Sequence, residues 1–201
     1  MATATPTLKF TIGQYDLMIE AGVFARPLQE GASDPEPSHV ELIDGEIIMM
    51  SPIGSRHEEI VDRLAAWSFK SLPDNGARVR IQQSLGIPGR QSVPQPDVAW
   101  VTPGDYVARR PEASDAHLVI EVAETSLDYD LGDKAALYAT GGVPEYWVVD
   151  VVGECVHLLR EPGSEGYAEH RTAGRDETVS PLVMPAATLS VDSIFIRRKG
   201  P

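Results

Sequence analysis

The chain has one cysteine, Cys155, in 201 residues. That count excludes a disulfide framework and a cysteine metal knuckle. No apolar run approaches the roughly 20 residues that a membrane-spanning helix needs. The opening MATATPTLKF lacks the basic start and apolar core of a secretion signal, so a cytoplasmic protein with no membrane partner is expected. Basic residues are also scarce. There are four lysines, and 17 Lys and Arg stand against 30 Asp and Glu for a net charge of −13. Such a chain is not built to coat nucleic acid nonspecifically, because phosphate binding rests on Lys and Arg. The deficit leaves room for an enzyme that holds a phosphodiester through a metal, since a hard cation such as Mg²⁺ is bound by clustered acids.

What is present is an ordinary globular composition, 42% hydrophobic and 23% charged. The length fits a single domain over 1–201, with flexible tails expected at 1–9 and 197–201. Thr11 reads as the N-cap of a short helix over 11–24, followed by a Pro/Gly/acid-rich loop over 26–39. Asp44-Gly45 between two short apolar runs signals a hairpin. Ile60, Leu64, Trp67 and Leu72 make the apolar stripe of a helix from Ser55, with Ser55 as its cap. Strands are expected at 77–87, 95–101, 117–123, 144–152, 155–161, 166–173 and 177–185. A helix over 131–140 ends at Gly141-Gly142, and a closing helical turn falls at 189–195. The expected fold class is mixed α/β, one central sheet flanked by helices. The 117–123 and 145–152 strands should pair in parallel through the intervening helix. Arginines gather at Arg78, Arg80 and Arg90, at Arg109 and Arg110, and at Arg197, Arg198 with Lys199.

The informative stretch is HLVIEVAETS, 117–126. Alternate strand residues share a face, so Val119, Glu121 and Ala123 point one way and Leu118, Ile120 and Val122 the other. The near-continuous apolar run marks a strand covered on both faces. An unpaired carboxylate there would cost several kcal/mol, roughly, or lose its charge. Glu121 is therefore either paired with an arginine or bound to a metal. Asp97, after Pro96 at the start of the apolar run 98–101, is a second acid at a strand mouth. Lys134 lies early in the next helix, after a short linker that returns it over the end of the Glu121 strand. Asp, Glu and Lys converging at a sheet edge is the chemistry of metal-dependent phosphodiester hydrolysis. Tyr146 and Trp147 read as packing, Tyr138 as part of an apolar helix face, and Asp150 as a turn residue.

PQPDVAWV followed by HLVIEVAETSLDYDLGDKAALYATGGVPEYWVVD closely resembles the Uma2 family, once known as DUF820, within the PD-(D/E)XK nuclease superfamily. ELIDGEIIMMSPIGSRHEEIVDRL resembles that family's N-terminal half, and the likeness covers about 10–196. It implies a restriction-endonuclease-like core and Mg²⁺-dependent cleavage of DNA, with Mn²⁺ as a substitute and a homodimer by analogy. Asp97 and Glu121 match the acidic positions that hold the metal. Ala123 stands where the simplest motif has its lysine, and Lys134 matches the helix-borne lysine that takes its place. Glu124 stands where the family often has Ser. Glu46 matches the family's GE and is either an outer acid or an exposed strand residue. His57 either approaches the phosphate or a metal-bound water, or is a capping or surface residue, and Gln82 or Gln83 is a candidate to line the site. Two other readings stay open. One is a non-catalytic binding or assembly module on a nuclease fold, and the other a hydrolase of RNA, a nucleotide or another phosphoester.

Overall fold

A computed structural model describes residues 7–25, 40–50, 54–72 and 76–195. The expected loop at 26–39 and the basic group at 197–199 lie outside the described residues. The chain divides into two compact units, 1–52 with 86–94, and 53–85 with 95–201.

In the first unit, helix α1 (Ile12–Glu20) starts at a reciprocal cap. Thr11 accepts from the Gln14 amide while the Gln14 side chain accepts from the Thr11 amide. Strands β1 (Val40–Ile43) and β2 (Glu46–Met49) form the hairpin that Asp44-Gly45 predicts. Both turn residues have positive φ, 50° and 80°, as a tight two-residue hairpin turn requires. Tyr15, Val40, Leu42 and Val93 pack together, and the Tyr15 hydroxyl donates to the Val40 carbonyl. Arg90, one of the clustered arginines, is spent on Asp44 at 2.6 Å.

The second unit is built on a six-stranded mixed sheet. Its strands are β3 (Arg78–Ile81), β4 (Val98–Val101), β5 (Ala116–Ala123), β6 (Glu145–Asp150), β7 (Cys155–Gly163) and β8 (Gly166–Ala173), in that spatial order. Only β5 and β6 run parallel, as the helical connection between them demands. Leu118, Ile120 and Val122 face a core shared with Val98, Trp100, Trp147, Val149 and helix α2 (Ser55–Ser71). Trp67 of α2 stacks between Trp100 and Trp147, with ring centroids 5.1 and 5.8 Å away. The indole of Trp100 donates to the buried Ser68 hydroxyl. Among the described residues no helix is long and apolar enough to cross a membrane.

Several boundaries differ from expectation for identifiable reasons. Gly54, not Ser55, is the N-cap of α2 and makes no side-chain cap bond. The strand expected over 77–87 stops at Ile81, because Gln82 turns into the left-handed region at φ 49°. The 177–185 segment contributes only β9 (Thr178–Val179). It pairs with β10 (Leu189–Ser190), outside the main sheet, before the short helix α5 (Val191–Ile194). The helix expected over 131–140 is broken into α3 (Leu127–Tyr129), a π-turn over Asp130–Lys134, and α4 (Ala135–Gly141).

Glu145 opens β6 with no solvent exposure. The Arg160 guanidinium donates to it at 2.6 and 2.8 Å, and the Trp147 indole and Leu182 amide complete its partners. Removing the cation alone strands a buried charge. Arg160→Met should therefore lower the unfolding free energy in urea by about 3–5 kcal/mol, and adding Glu145→Gln should recover part of it. A loss below about 1 kcal/mol, the worth of an exposed pair, would contradict this assignment.

Candidate active site

Glu121 sits mid-strand on β5 with 4% exposure, on the face opposite the α2 core. Lys134, 3% exposed, donates to its Oε1 at 2.9 Å, and the Tyr138 hydroxyl donates to the same oxygen at 2.8 Å. The buried partner is thus a lysine, not the arginine of the alternative reading. Lys134 closes the π-turn, and Tyr138 follows four residues later on the same helix face. Single π-turns inside helices recur at functional sites. This one is fixed at its start, where Ser126 donates to the Asp130 carboxylate at 2.5 Å and the Tyr146 hydroxyl donates to the Asp130 carbonyl at 3.0 Å. Burial, then the charge of Glu121, pushes the Tyr146 phenol far above its ordinary range, so it serves only as a neutral donor.

Asp97 lies one step beyond the Val98↔Ile120 register pair, which sets it beside Glu121 on the neighbouring strand. It is 7% exposed. Its Oδ2 accepts the Val122 amide at 2.8 Å, and its Oδ1 accepts Gln82 Nε2 at 3.2 Å and contacts His57 Nε2 at 3.0 Å. The left-handed turn that ends β3 is therefore what brings Gln82, rather than Gln83, to the carboxylate. His57 reaches Asp97 from the first turn of α2 and is buried, neither a cap nor a surface residue. Burial opposes its charging, but the hydrogen bond and charge of Asp97, followed by the charge of Glu124, outweigh that and raise its pKa above 6.5. Glu124 in turn faces Arg56 at 3.7 Å, and Arg56 also donates to the Val151 carbonyl. The extra acid after β5 thus has a local cation.

Glu46 belongs to the first unit, where it is exposed, accepts the Thr7 hydroxyl at 3.0 Å and faces Lys9 at 4.0 Å. The sequence reading missed three contributors to the site: Tyr138, counted as apolar face, Arg56, and the Val122 amide. A tyrosine four residues after the helix lysine was the one available signal, since it shares the lysine's face.

Two of the arginine groups meet. Arg78, Arg80 and Arg109 all stand over the Tyr106 ring, 5.4 to 5.8 Å from its centroid. Arg78 donates to the Gly104 carbonyl and Arg109 pairs with Asp115, whereas the buried Nε of Arg80 has no hydrogen-bond partner. Arg78 and Arg80 pair with Val101 and Ala99, which alternate with the core-facing Val98 and Trp100. Both arginines therefore share the sheet face of Glu121.

The arrangement offers two adjacent, oriented carboxylates, a buried ammonium and a nearby positive surface. Comparison with known proteins bears on the family and the fold. The model of the Uma2 family, described as "Putative restriction endonuclease", matches residues 26–192. Among solved structures, the chain is similar to a protein from Anabaena variabilis described as "a putative nuclease belonging to DUF820". The TM-score is 0.68 at 16% identity, over 92% of this chain and 97% of that one. That likeness carries the nuclease fold expected from the sequence. No curated protein matches the chain. With the family model matching residues 26–192, most of its length, the chain belongs to the Uma2 family.

Proposed function

We propose that this protein is a divalent-metal-dependent endonuclease that hydrolyses DNA phosphodiester bonds. The observation that carries the reading is the meeting of Asp97, Glu121 and Lys134, from a loop, a strand and a π-turn, at one buried polar centre. The donor set suits the metal. Asp97 and Glu121 present only hard oxygen, which Mg²⁺ prefers and Mn²⁺ accepts, and Mg²⁺ commonly takes one or two carboxylates while keeping several waters. When bound, the ion supplies Lewis-acid polarisation of the phosphate and a lowered pKa for water.

The chain's own residues do the rest. Val122, Gln82 and His57 hold the Asp97 carboxylate in one orientation, and Tyr138 holds Glu121. Lys134 places its ammonium 2.9 Å from Glu121, where it orients a water and offsets charge developing on the phosphate. The long lysine stem covers from the helix the position that Ala123 cannot fill from the strand. Arg78, Arg80 and Arg109 supply a positive surface on a chain of net charge −13, and we assign the DNA backbone to it.

One observation favours a second reading. Lys134 already pairs with Glu121, and Asp97 is already held by Val122, Gln82 and His57, as they would also be in a non-catalytic module retaining the fold. Metal binding separates the two. Calorimetry should show Mg²⁺ or Mn²⁺ binding that is lost in Asp97→Asn with Glu121→Gln, and a catalytically degenerate site should show none.

Asp97→Asn, Glu121→Gln and Lys134→Met should each lower metal-dependent cleavage of plasmid DNA by at least about a hundredfold. Lys134→Met fills the lysine's space but leaves the Glu121 carboxylate without its cation, at a cost of about 3–5 kcal/mol of stability, so its activity is read on protein that circular dichroism shows to be folded. Cleavage by Lys134→Met at the wild-type rate would refute the lysine's role, and cleavage of RNA but not DNA by the wild type would refute the substrate.

The arginine surface makes a separate prediction. With Ca²⁺ in place of Mg²⁺, DNA binding by the wild type should weaken as salt rises. Each phosphate contact contributes a log–log slope of about 0.9. Arg78→Ala with Arg80→Ala should therefore reduce the slope by about 2. An unchanged slope would place the DNA elsewhere.

A further inference from the structure

At the opposite end of β6 from Glu145, the β6–β7 hairpin gathers donors of a different kind. Asp150 and Cys155 are direct partners in the antiparallel register. Cys155 and His157 are two apart on β7 and so share a face, while Val156 between them points into the core. One ligand atom from each of Asp150, Cys155 and His157 lies within 4.8 Å of the other two, the only such group of three among the described residues. We propose that these three side chains form a binding site for a borderline-to-soft divalent transition metal, Zn²⁺ by class, separate from the carboxylate pair at Asp97 and Glu121.

Geometry supports this in three ways. A tetrahedral zinc bonded to sulfur at about 2.3 Å and to imidazole nitrogen at about 2.05 Å sets those two atoms about 3.6 Å apart. Cys155 Sγ and His157 Nε2 are 3.7 Å apart. Secondly, the other imidazole nitrogen is held from outside. His157 Nδ1 lies 3.1 Å from Thr172 Oγ1 and 3.1 Å from His170 Nε2, both on β8. Metal-binding histidines almost always have such an outer partner, which fixes the ring so that the opposite nitrogen faces the ion. Thirdly, the carboxylate is fixed in the same manner. Asp150 Oδ1 accepts the Val152 and Gly153 amides at 2.9 and 2.7 Å. A Cβ at Gly153 would fall 2.3 Å from Asp150 Oδ2, so only glycine leaves the carboxylate its place.

The donor set selects the ion. A thiolate is a poor ligand for Mg²⁺ and a good one for zinc, and imidazole suits zinc, copper and nickel. Three protein ligands leave a fourth tetrahedral position to water or another small ligand. Cys155 and His157 are only partly buried, so an ion can enter from solvent. The site also explains why one cysteine suffices: the remaining ligands come from across a hairpin and from two residues along a strand, not from a second cysteine.

The test is optical titration of the purified full-length chain with Co²⁺ in the absence of DNA. The wild type should develop a thiolate-to-cobalt charge-transfer band that saturates at one equivalent, is displaced by Zn²⁺ and is insensitive to excess Mg²⁺. Cys155→Ser should abolish the band, and His157→Gln should weaken Co²⁺ affinity at least tenfold. Asp97→Asn with Glu121→Gln should leave the band intact, so this outcome does not depend on the nuclease reading. Circular dichroism confirms that each variant is folded. Absence of the band in the wild type, unchanged affinity in His157→Gln, or loss of the band in the Asp97/Glu121 variant would each overturn the proposal.

Discussion

The buried contact between the Lys134 ammonium and the Glu121 carboxylate governs the architecture of the second unit. Both groups are almost wholly removed from water. Desolvating two such charges costs several kcal/mol each, roughly, so the pair persists only with good geometry and further hydrogen bonds. The structure supplies both. Tyr138 adds a second donor to Glu121. The π-turn over Asp130–Lys134 places Lys134 directly before the regular α4 that carries Tyr138, so both residues face the strand. Well-packed apolar residues commonly do as well as a buried ion pair, or better. Under the proposed function, the charges are retained for a metal and a phosphate.

The same constraint extends across the sheet. Asp97 must lie beside Glu121 for two carboxylates to share an ion, and the antiparallel register of β4 on β5 achieves that through backbone pairing alone. The Val122 amide then fixes Asp97, using a donor of the very strand that bears Glu121. Gln82 arrives through the left-handed turn at the end of β3, and His57 from the first turn of α2. Each orienting group comes from a different element, so the site is assembled only when the sheet and α2 are both in place. The hydrophobic face of the sheet, with Trp67 between Trp100 and Trp147, is what holds α2 there.

Much of this was legible in the residues because it rests on short-range pattern. The β5 run with an acid at its centre, the Asp-Gly hairpin, the α2 stripe and the parallel β5–β6 crossover all follow from local periodicity and chain handedness. What escaped depends on atoms distant in sequence or on local geometry without a residue signature. Tyr138 has an apolar body that fits a packing face and a hydroxyl whose partner lies 17 residues back. The π-turn has no residue code of its own. Arg78 and Arg80 are joined with Arg109 only by folding around Tyr106. Cys155 looked solitary because cysteine spacing is counted along the chain, whereas its neighbours Asp150 and His157 meet it through strand pairing and pleat.

A crystal structure of the protein with Mn²⁺, located by its anomalous scattering, would show whether Asp97 and Glu121 share a metal beside Lys134. One ion is expected between the two carboxylates, with the Lys134 amine within about 4–6 Å. Saturating Mn²⁺ with no anomalous peak between Asp97 and Glu121 would contradict this expectation.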